Sequence, residues 1–548
     1  MKFYTAVVLA FLSPAFFSAS ELAGPSASLQ GRIARARSPQ LRWSNWTDYR
    51  VYVAEFYKRL GGRTTWVQGG VPTPQAREVA AKLASADLKG LSASAYEGDQ
   101  WPARMAALAS GSGSKLEAFD VAFTVSVMRY LSDLRLGRIN PAKLAQGFDG
   151  KSRRLFLVGL AAELTTAQNP GARMEQIEPS LPGYRALLAQ IPRYLELSKH
   201  PFKPIHAVKK LAPGDVYPDA QALADLLVAL GDLTPEEAKA LPEGRYMPAL
   251  AAALMRFQVR HGLDADGKLG MKTVVQLNTP FSRRLTQIRL TLERWRWAEL
   301  EPAPRMIQVN IPAFNLSALS AKGDGYQTDL WMRVVVGKAL LHQTHLLTGK
   351  MDAVIFRPTW DVPRSILQHE ILPKLRKHPS LLGQEGYEIV PVGGAGAAIT
   401  VPTAAAVDGL ATGKLRLIQK PGPRNALGHV KFLFTNSFQI YLHDTPAQIA
   451  FESSRRDFSH GCIRLEHPAD LATWVLGDTP GWNAEKVKAE MTAEGSPSMV
   501  PVNSPIQVVI VYGTATVDGT GKVYFYDDIY GNDKRLARAL AAGYPYRW

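Results

Sequence analysis

The sequence predicts a multidomain α+β protein with helical domains in its N-terminal half and a β-rich domain in its C-terminal half. Apolar residues recur at three- and four-residue spacing up to about residue 300, and from residue 306 they alternate with polar residues. The length of 548 residues agrees with several domains rather than one. Hydrophobic residues make up 46% of the chain and charged residues 20%, which excludes a wholly disordered or collagen-like protein.

The chain is basic and carries one cysteine. Its 64 Lys and Arg residues against 48 Asp and Glu residues give a net charge of +16, which favours anionic partners. Nucleic acid, anionic lipid and the acidic peptides and glycans of a cell wall all fit that charge. The lone Cys462 excludes an internal disulfide and any CxxC zinc site.

The N-terminus has the pattern of an export signal, which we place at residues 1–20. Lys2 precedes an apolar run over residues 3–12, and small residues at 18–20 suit cleavage. We expect a cleaved signal and an exported protein, with a retained anchor as the alternative. Residues 21–42, rich in Ser, Ala and Arg, are predicted to be a linker.

Two helical domains are predicted next. Residues 43–205 carry helical patterns over 76–83, 115–136 and 183–197 and concentrate no chemical motif, so we interpret them as a scaffold. Residues 206–280 predict a compact three-helix module. Its signals are a leucine face that ends at Gly231, a capping box at Thr234 and Glu237, a helix ending before Gly262 and a last short helix over 272–277.

After the three-helix module the spacing of apolar residues along the chain changes. Residues 281–300 predict an amphipathic connecting helix, and residues 301–548 a β-rich domain. The alternating apolar positions are Ile307, Val309 and Ile311, then Leu330, Met332, Val334 and Val336, then Val430, Phe432 and Phe434, then Phe438, Ile440 and Leu442, with further strands over 505–517 and 522–526. Between about 365 and 428 this pattern breaks, which predicts an insertion that caps one side of the sheet.

The candidate chemistry lies around Cys462. A thiol must lose its proton to attack an acyl carbon, and His443, nineteen residues upstream at the end of a predicted strand, is the candidate base. Asp444 offers its carbonyl or its carboxylate to hold that imidazole in one tautomer. Gly461 permits close backbone approach, and its amide with that of Cys462 is a candidate oxyanion hole.

Several neighbours extend this site. Arg464 is a candidate ligand for a substrate carboxylate. His460 is an alternative base, and Ser459 a hydroxyl that orders the loop. Tyr441 and Trp360 are candidates to line a substrate groove, with simple packing as the alternative. The residues alone therefore predict a cysteine acyltransferase or hydrolase, and a small buried thiol is the other interpretation.

The arrangement resembles the YkuD-type catalytic domain of L,D-transpeptidases. That family's signature is a His, a gap, then Ser/Thr-His-Gly-Cys, an apolar residue and Arg or Asn, and here it is matched by His443, Ser459, His460, Gly461, Cys462, Ile463 and Arg464. Relatives often have Gly or Ser where this chain has Asp444. The sequence FQVRHGLDADGKLGMKTVVQLN at 257–278 is similar to peptidoglycan-binding modules. Stretches 332–338, 356–375 and 517–533 resemble the large multidomain Gram-negative members.

The resemblance implies a nucleophilic Cys462, a His443 that accepts and donates the proton, and an Asp444 carbonyl that orients it. It implies that the enzyme joins meso-diaminopimelate residues of two stem peptides in a 3→3 crosslink with release of D-Ala. The implied partners are peptidoglycan stem peptides and glycan strands, with other cell-wall synthesis enzymes, and no nucleic acid. The implied location is the periplasm, with membrane contact only through a retained signal, and carbapenems are expected to acylate the thiol.

Other functions remain open at this stage. The same thiol would serve an L,D-carboxypeptidase or a hydrolase of links between wall and lipoprotein, because water competes with the amine acceptor. A non-catalytic scaffold that binds the cell wall is a third hypothesis. We expect no metal site and no cofactor, because the remaining histidines lack ligand spacing. Asp527, Asp528 and Asp533 are predicted to form a solvated turn.

Overall fold

The protein is described by a computed structural model that covers residues 26–110, 113–144, 156–298, 300, 302–323, 325–393 and 396–543. The predicted signal, 1–20, lies outside these residues. The described residues divide into an N-terminal unit (26–85, 92–110, 113–132 and 156–176) and a C-terminal unit (86–91, 133–144 and the described residues from 177 to 543). Within the described ranges no helix is both long and apolar enough to cross a membrane.

The helices and strands are as follows. The helices are α1 Ala27–Arg35, α2 Arg50–Arg59, α3 Pro74–Ala84, α4 Trp101–Ala106, α5 Gly113–Leu136, α6 Phe156–Leu164, α7 Pro170–Glu175, α8 Tyr184–Leu188, α9 Ile191–Leu197, α10 Ala220–Leu230, α11 Pro235–Lys239, α12 Pro248–Arg260, α13 Met271–Leu277, α14 Phe281–Trp295, α15 Arg364–Ile366, α16 Leu372–Lys377, α17 Leu381–Gln384, α18 Ala404–Thr412, α19 Pro468–Leu476, α20 Ala484–Thr492 and α21 Asn532–Ala541. The strands are β1 Val67–Gln68, β2 Val71–Pro72, β3 Arg305–Asn310, β4 Asn315–Lys322, β5 Gly325–Gly337, β6 Leu347–Phe356, β7 Trp360–Asp361, β8 Tyr387–Pro391, β9 Leu415–Gln419, β10 Val430–Phe434, β11 Leu442–His443, β12 Asp457–Ser459, β13 Ile463–Leu465, β14 Ser498–Val511, β15 Ala515–Val517 and β16 Val523–Phe525.

The N-terminal unit is helical and begins inside the predicted linker. Helix α1 starts there because the Ser26 side chain accepts a hydrogen bond from the Leu29 amide at 3.0 Å. Leu29 and Ile33, one turn apart on this helix, are both buried. The described part of the stretch 21–42 therefore contains a packed helix and is not the mobile linker that its composition predicted.

The C-terminal unit contains the predicted three-helix module. Helix α10 ends at Gly231 in the left-handed conformation, and α11 begins with the capping box of Thr234 and Glu237. The single helix predicted over 183–197 is two helices, α8 and α9. Pro192 lies in the first turn of α9 and has no amide to donate to the preceding turn, so the longer helix is broken there.

A nine-stranded sheet forms the main part of the β-rich domain. Its order is β12-β5-β13-β11-β10-β6-β14-β3-β4, and β4 also pairs with β5, so the sheet closes on itself. Strands β11 and β13 run parallel, whereas β10 and β11 run antiparallel. The predicted fold class, helical in its N-terminal half and β-rich in its C-terminal half, is confirmed.

The strand predicted over Phe438, Ile440 and Leu442 is much shorter than expected. Only Leu442 and His443 pair as β11. The Asn436 side chain accepts hydrogen bonds from the amides of Phe438 and Ile440, both at 3.0 Å, and so folds this segment into a turn. The sequence prediction was wrong here because a local side chain took the backbone groups that a strand would pair.

The predicted insertion forms a small subdomain with its own sheet, β7-β9-β8. A π-helical turn, Leu367–Ile371, joins α15 to α16 within it. Its separate core consists of Val362, Leu367, Ile371, Leu372, Leu375, Leu382, Ile389, Ala406, Leu410 and Leu417. The insertion therefore has packing that is independent of the main sheet.

The acidic residues near the C-terminus form structural contacts. Asp528 accepts from the Tyr512 hydroxyl at 2.7 Å. Asp533 accepts from Arg294 at 2.6 Å and from the Thr514 hydroxyl at 2.7 Å. The prediction of a solvated turn is wrong for Asp528 and Asp533, because these side chains anchor the C-terminal segment to α14 and the sheet. Asp527 is exposed.

Candidate active site

The pairing of β11 with β13 places the predicted catalytic residues on one face of the sheet. Leu442 lies opposite Ile463, and both side chains are fully buried in the core. Successive strand residues point to opposite faces, so the residues before and after this pair project to the other side. The cavity on that side is lined by Tyr441, His443, Cys462 and Arg464.

Two cavities meet at the thiol. One, of about 340 Å³, lies between the sheet and the insertion and contains His443 and Arg464. The other, of about 950 Å³, contains Lys431. The residues that line both cavities are His342, Trp360, Pro363, Tyr441, His460 and Cys462. Cys462 is therefore reached from two sides.

The His443 imidazole is held in one tautomer. Its Nδ1 lies 2.5 Å from the Asp444 carbonyl oxygen, and a carbonyl only accepts, so Nδ1 carries the proton and Nε2 has a free lone pair. Burial lowers the pKa of His443 to about 3, and the nearby charge of Arg464 acts in the same direction. His443 is therefore neutral near pH 7 and able to accept a proton at Nε2.

The Asp444 carboxylate fixes the backbone that carries this carbonyl. It accepts from the amides of His429 at 2.8 Å and Thr445 at 2.6 Å. Gly428 has φ +60°, and a Cβ there would lie 2.3 Å from Asp444 Oδ2. Gly428 is thus required for the carboxylate to fit, and sequence reasoning missed it because the contact joins the segment before β10 to the residue after β11.

The Cys462 thiol is protonated in the free protein. Burial raises its pKa above the ordinary value of 9.0, while hydrogen bonds from the Tyr441 backbone and hydroxyl, and the charges of Lys431 and Arg464, act in the opposite direction. Its Sγ lies 4.0 Å from the Gln439 carbonyl. The site therefore places a neutral thiol and a neutral imidazole in one cavity.

Two cations flank the thiol. Lys431 lies opposite His443 in the register of β10 and β11, with its Nζ 3.8 Å from the centre of the Tyr441 ring. Arg464 Nε is buried without a hydrogen-bond partner. In the described part of the chain neither cation forms an ion pair with a carboxylate. Lys431 was missed from sequence, although its polar position between Val430 and Phe432 already placed it off the core face.

The loop before the thiol is fixed by Ser459. Its hydroxyl donates to the Cys462 carbonyl at 2.5 Å and accepts from the Gly461 amide at 3.1 Å. The amide of Gly461, predicted to bind an oxyanion, is therefore already engaged in this structure. The Cys462 amide forms no hydrogen bond within the described residues, so it remains the available donor. Gly461 has φ +115°, which explains the need for glycine.

A second set of hydrogen bonds also fixes the loop before the thiol. The Thr344 hydroxyl donates to the Gly461 carbonyl at 2.8 Å and accepts from the Gly337 amide at 2.9 Å. Tyr530, near the C-terminus, donates to the Gly337 carbonyl at 2.6 Å. Only spatial packing shows this link, since Tyr530 is distant from the motif in sequence.

His460 connects the loop to the insertion. Its Nε2 forms a hydrogen bond with Glu370, which lies in the π-helical turn. Its ring centroid is 4.7 Å from that of His342. His460 is thus engaged by a carboxylate, whereas the nitrogen of His443 that faces no carbonyl is free to act as a base. Trp360 lines both cavities.

Comparison with known families agrees with this geometry. Residues 304–508 match the L,D-transpeptidase catalytic domain of the YkuD family, and residues 217–277 match a family described as "Putative peptidoglycan binding domain". Residues 51–191 match a family described as a scaffold domain. The chain therefore contains a YkuD-type L,D-transpeptidase catalytic domain and a peptidoglycan-binding domain, as the sequence motifs predicted. Both domain types act on peptidoglycan, which indicates an extracytoplasmic location.

Individual relatives are more distant. A Haemophilus influenzae protein named "Putative L,D-transpeptidase" is 31% identical over 233 residues, which cover 42% of this chain and 45% of that protein. The match thus spans less than half of the relative's length.

Two solved structures also match. They are Bdellovibrio bacteriovorus Bd1075 (11% identity, 44% of this chain and 56% of that one) and a fused Zn-dependent amidase/peptidase/peptidoglycan-binding domain-containing protein of Clostridium acetobutylicum (12% identity, 56% of this chain and 100% of that one). Their TM-scores are both 0.15.

Proposed function

We propose that this protein is a periplasmic L,D-transpeptidase of a Gram-negative bacterium that forms 3→3 crosslinks between meso-diaminopimelate residues of peptidoglycan stem peptides. The observation that carries the proposal is the cavity shared by Cys462 and His443, in which the Asp444 carbonyl leaves His443 Nε2 free to take the thiol proton. The matched catalytic and peptidoglycan-binding domains support the substrate class.

The first half-reaction acylates the thiol. Nε2 of His443 takes the proton from Cys462, and the sulfur attacks the diaminopimelate carbonyl of a tetrapeptide stem. The negative charge that develops on the carbonyl oxygen is stabilised by the Cys462 amide. The C–N bond to the terminal D-Ala then breaks, the D-Ala amine takes the proton from His443, and a thioester remains.

The second half-reaction passes the acyl group to an amine. The side-chain amine of diaminopimelate on a second stem loses a proton to His443 and attacks the thioester carbonyl. The C–S bond breaks, His443 returns its proton to the sulfur, and a new amide joins the two stems. The enzyme ends in its starting state, so the reaction needs no cofactor.

The unpaired cations suit this substrate. Stem peptides carry free carboxylates, and a buried cation without an ion-pair partner is stabilised when a carboxylate reaches it. Arg464 lies beside His443 in the smaller cavity, and Lys431 lines the larger one. We assign both residues to carboxylate binding, with Tyr441 and Trp360 as the walls between them.

The two cavities favour an amine acceptor over water. Crosslinking requires that a donor stem and an acceptor stem reach one sulfur, and Cys462 opens to cavities of about 340 and 950 Å³. Hydrolysis by an L,D-carboxypeptidase, or of a link between wall and lipoprotein, needs only one peptide site. A non-catalytic scaffold would need neither cavity nor an oriented histidine.

Product analysis tests the proposal. Purified protein and disaccharide-tetrapeptide are mixed, and products are identified by mass spectrometry, with Cys462→Ala and Met499→Ala as the catalytic and surface controls. A dimer that has lost one D-Ala, absent with Cys462→Ala and present with Met499→Ala, supports transpeptidation. Tripeptide alone would assign a carboxypeptidase, and intact substrate with every protein would favour the scaffold. A carbapenem, an acylating β-lactam, is expected to modify Cys462 and to block the dimer.

A further inference from the structure

A third cavity lies where the peptidoglycan-binding domain meets the catalytic domain. It has a volume of about 410 Å³. Its walls come from the end of α12, the turn between β3 and β4, strand β5, the segment before β12, and strand β16 with the loop that follows it. We call it the junction cleft. It shares no lining residue with the two cavities at Cys462.

The walls of the junction cleft are fixed relative to each other. Arg260 of α12 is buried, pairs with Asp232 and donates to the Val523 carbonyl of β16. Gln276 of α13 donates to Asp527 at 2.8 Å. Both links cross from the peptidoglycan-binding domain to the catalytic domain, so the cleft is formed before any ligand arrives.

Aromatic rings line the junction cleft. Trp331 of β5 is 54% exposed, the most exposed tryptophan among the described residues. Tyr524 and Tyr526 are near-parallel, with ring centroids 6.4 Å apart and an angle of 27° between their planes. Exposed flat rings in a concave site offer apolar contact area at low entropic cost, and the C–H faces of pyranose rings fit such surfaces.

Arginine side chains that are fixed by hydrogen bonds provide polar groups in the junction cleft. Arg333 pairs with Glu466, and Arg455 pairs with Asp457 through two bonds of 2.6 and 2.9 Å. Arg456 donates to backbone carbonyls and has no carboxylate partner among the described residues. Arg333 and Arg455 each use Nε and Nη2 in these pairs, so their Nη1 groups are the donors left to bind hydroxyl and N-acetyl oxygens.

We propose that the junction cleft binds the amino-sugar glycan strand of peptidoglycan, with sugar rings stacked on Trp331 and Tyr524. This inference rests on the proposed function for the identity of the polymer. A peptide ligand would need free backbone edges or deep side-chain pockets, whereas the cleft offers flat rings and polar donors.

The position of the cleft gives it a role in substrate choice. Trp331 and Gly337 are six residues apart on β5, about 20 Å at the rise of a strand. Gly337 adjoins the nucleophile loop, since a Cβ on it would lie 3.0 Å from the Gly461 Cα. A glycan chain of several disaccharides can fill the whole cleft while one of its stem peptides reaches Cys462, so we expect the cleft to favour polymeric glycan.

Binding is tested first, without turnover. Peptide-free glycan strands are titrated into the full chain by calorimetry, with Trp331→Ala, Trp331→Phe, Tyr524→Ala and the exposed-residue control Met499→Ala. We expect at least about tenfold weaker binding for Trp331→Ala and Tyr524→Ala, and near wild-type binding for Trp331→Phe. Wild-type affinity in both alanine variants, at unchanged thermal midpoints, would overturn the proposal. If the two alanine variants lose affinity for tetrapeptide and keep their affinity for glycan, the cleft binds peptide and the proposal is overturned.

Kinetics provide the second readout. The ratio of kcat/KM on glycan chains carrying tetrapeptides to kcat/KM on disaccharide-tetrapeptide is expected to fall about tenfold in Trp331→Ala. An unchanged ratio would contradict the role in polymer selection. If the wild type proves inactive but Trp331→Ala still loses glycan binding, the proposed transpeptidase reaction fails and the glycan cleft stands.

Discussion

The imidazole Nδ1 of His443 donates to the backbone carbonyl of Asp444 at 2.5 Å. The neighbouring Asp444 carboxylate instead accepts hydrogen bonds from the amides of His429 and Thr445. Orientation of the base therefore depends on the course of the backbone at this position. The side chain contributes by fixing that backbone.

This separation predicts a graded response to substitution. Asp444→Asn keeps the carbonyl and is expected to lower kcat/KM by less than about tenfold, while it destabilises the fold by about 1–3 kcal/mol through one mismatched buried amide contact. His443→Ala is expected to lower kcat/KM by about 10²–10⁴-fold. Steady-state kinetics and denaturant unfolding check both values. An Asp444→Asn loss as large as that of His443→Ala would assign the orienting role to the carboxylate.

The depressed pKa of His443 predicts the pH dependence. Its folded pKa is about 3, below the ordinary 6.5, so the base stays neutral in moderately acidic solution and kcat/KM should show no acid limb near pH 6.5. The unfolded state binds a proton on His443 at a higher pH than the folded state does. The stability contributed by neutral His443 is therefore full above about pH 6.5 and is lost as pH falls towards 3. A kcat/KM profile from pH 4 to 8 tests this expectation. An acid limb centred near pH 6.5 would contradict it.

The thiol should be slow to alkylate at neutral pH. Because burial raises the pKa of Cys462 above 9.0, the rate of reaction with iodoacetamide is expected to rise steadily with pH up to and beyond that value. Lys431→Met removes a charge that favours the thiolate and should slow alkylation severalfold at pH 8. Met499→Ala serves as the control. A rate plateau between pH 5 and 8 would instead indicate a preformed thiolate.

Ser459 is predicted to matter for loop geometry. Ser459→Ala removes the hydrogen bonds to the Gly461 amide and the Cys462 carbonyl, and should destabilise the protein by about 1–3 kcal/mol. It should lower kcat more than it changes KM, because the nucleophile and its amide are displaced. Thermal unfolding and kinetics measure this, and unaltered values for both would show that Thr344 alone holds the loop.

Much of the architecture follows from local signals in the sequence. The Gly231 end of α10 and the capping box of Thr234 and Glu237 depend on neighbouring residues, and both were predicted. The pairing of His443 with Cys462 was likewise recognisable, because the two residues match a known family signature. Local chemistry therefore indicated the fold class and a candidate nucleophile.

Other parts of the site depend on contacts between distant segments. Gly428 is needed because it abuts the Asp444 carboxylate, and Glu370 meets His460 only after the insertion has folded. The engagement of the Gly461 amide by Ser459 is local, but it depends on a side-chain rotamer that the motif does not specify. Such positions are set by packing, which residue spacing does not encode.

The role of Cys462 as the nucleophile is tested most directly by the mass of the intact protein after brief mixing with disaccharide-tetrapeptide. We expect a covalent adduct equal to the substrate minus D-Ala, mapped by peptide analysis to Cys462 and discharged when an acceptor stem is added. Cys462→Ala should carry no adduct and form no dimer. Dimer formation by Cys462→Ala, or a wild-type adduct on another residue, would contradict the assignment of Cys462 as the nucleophile.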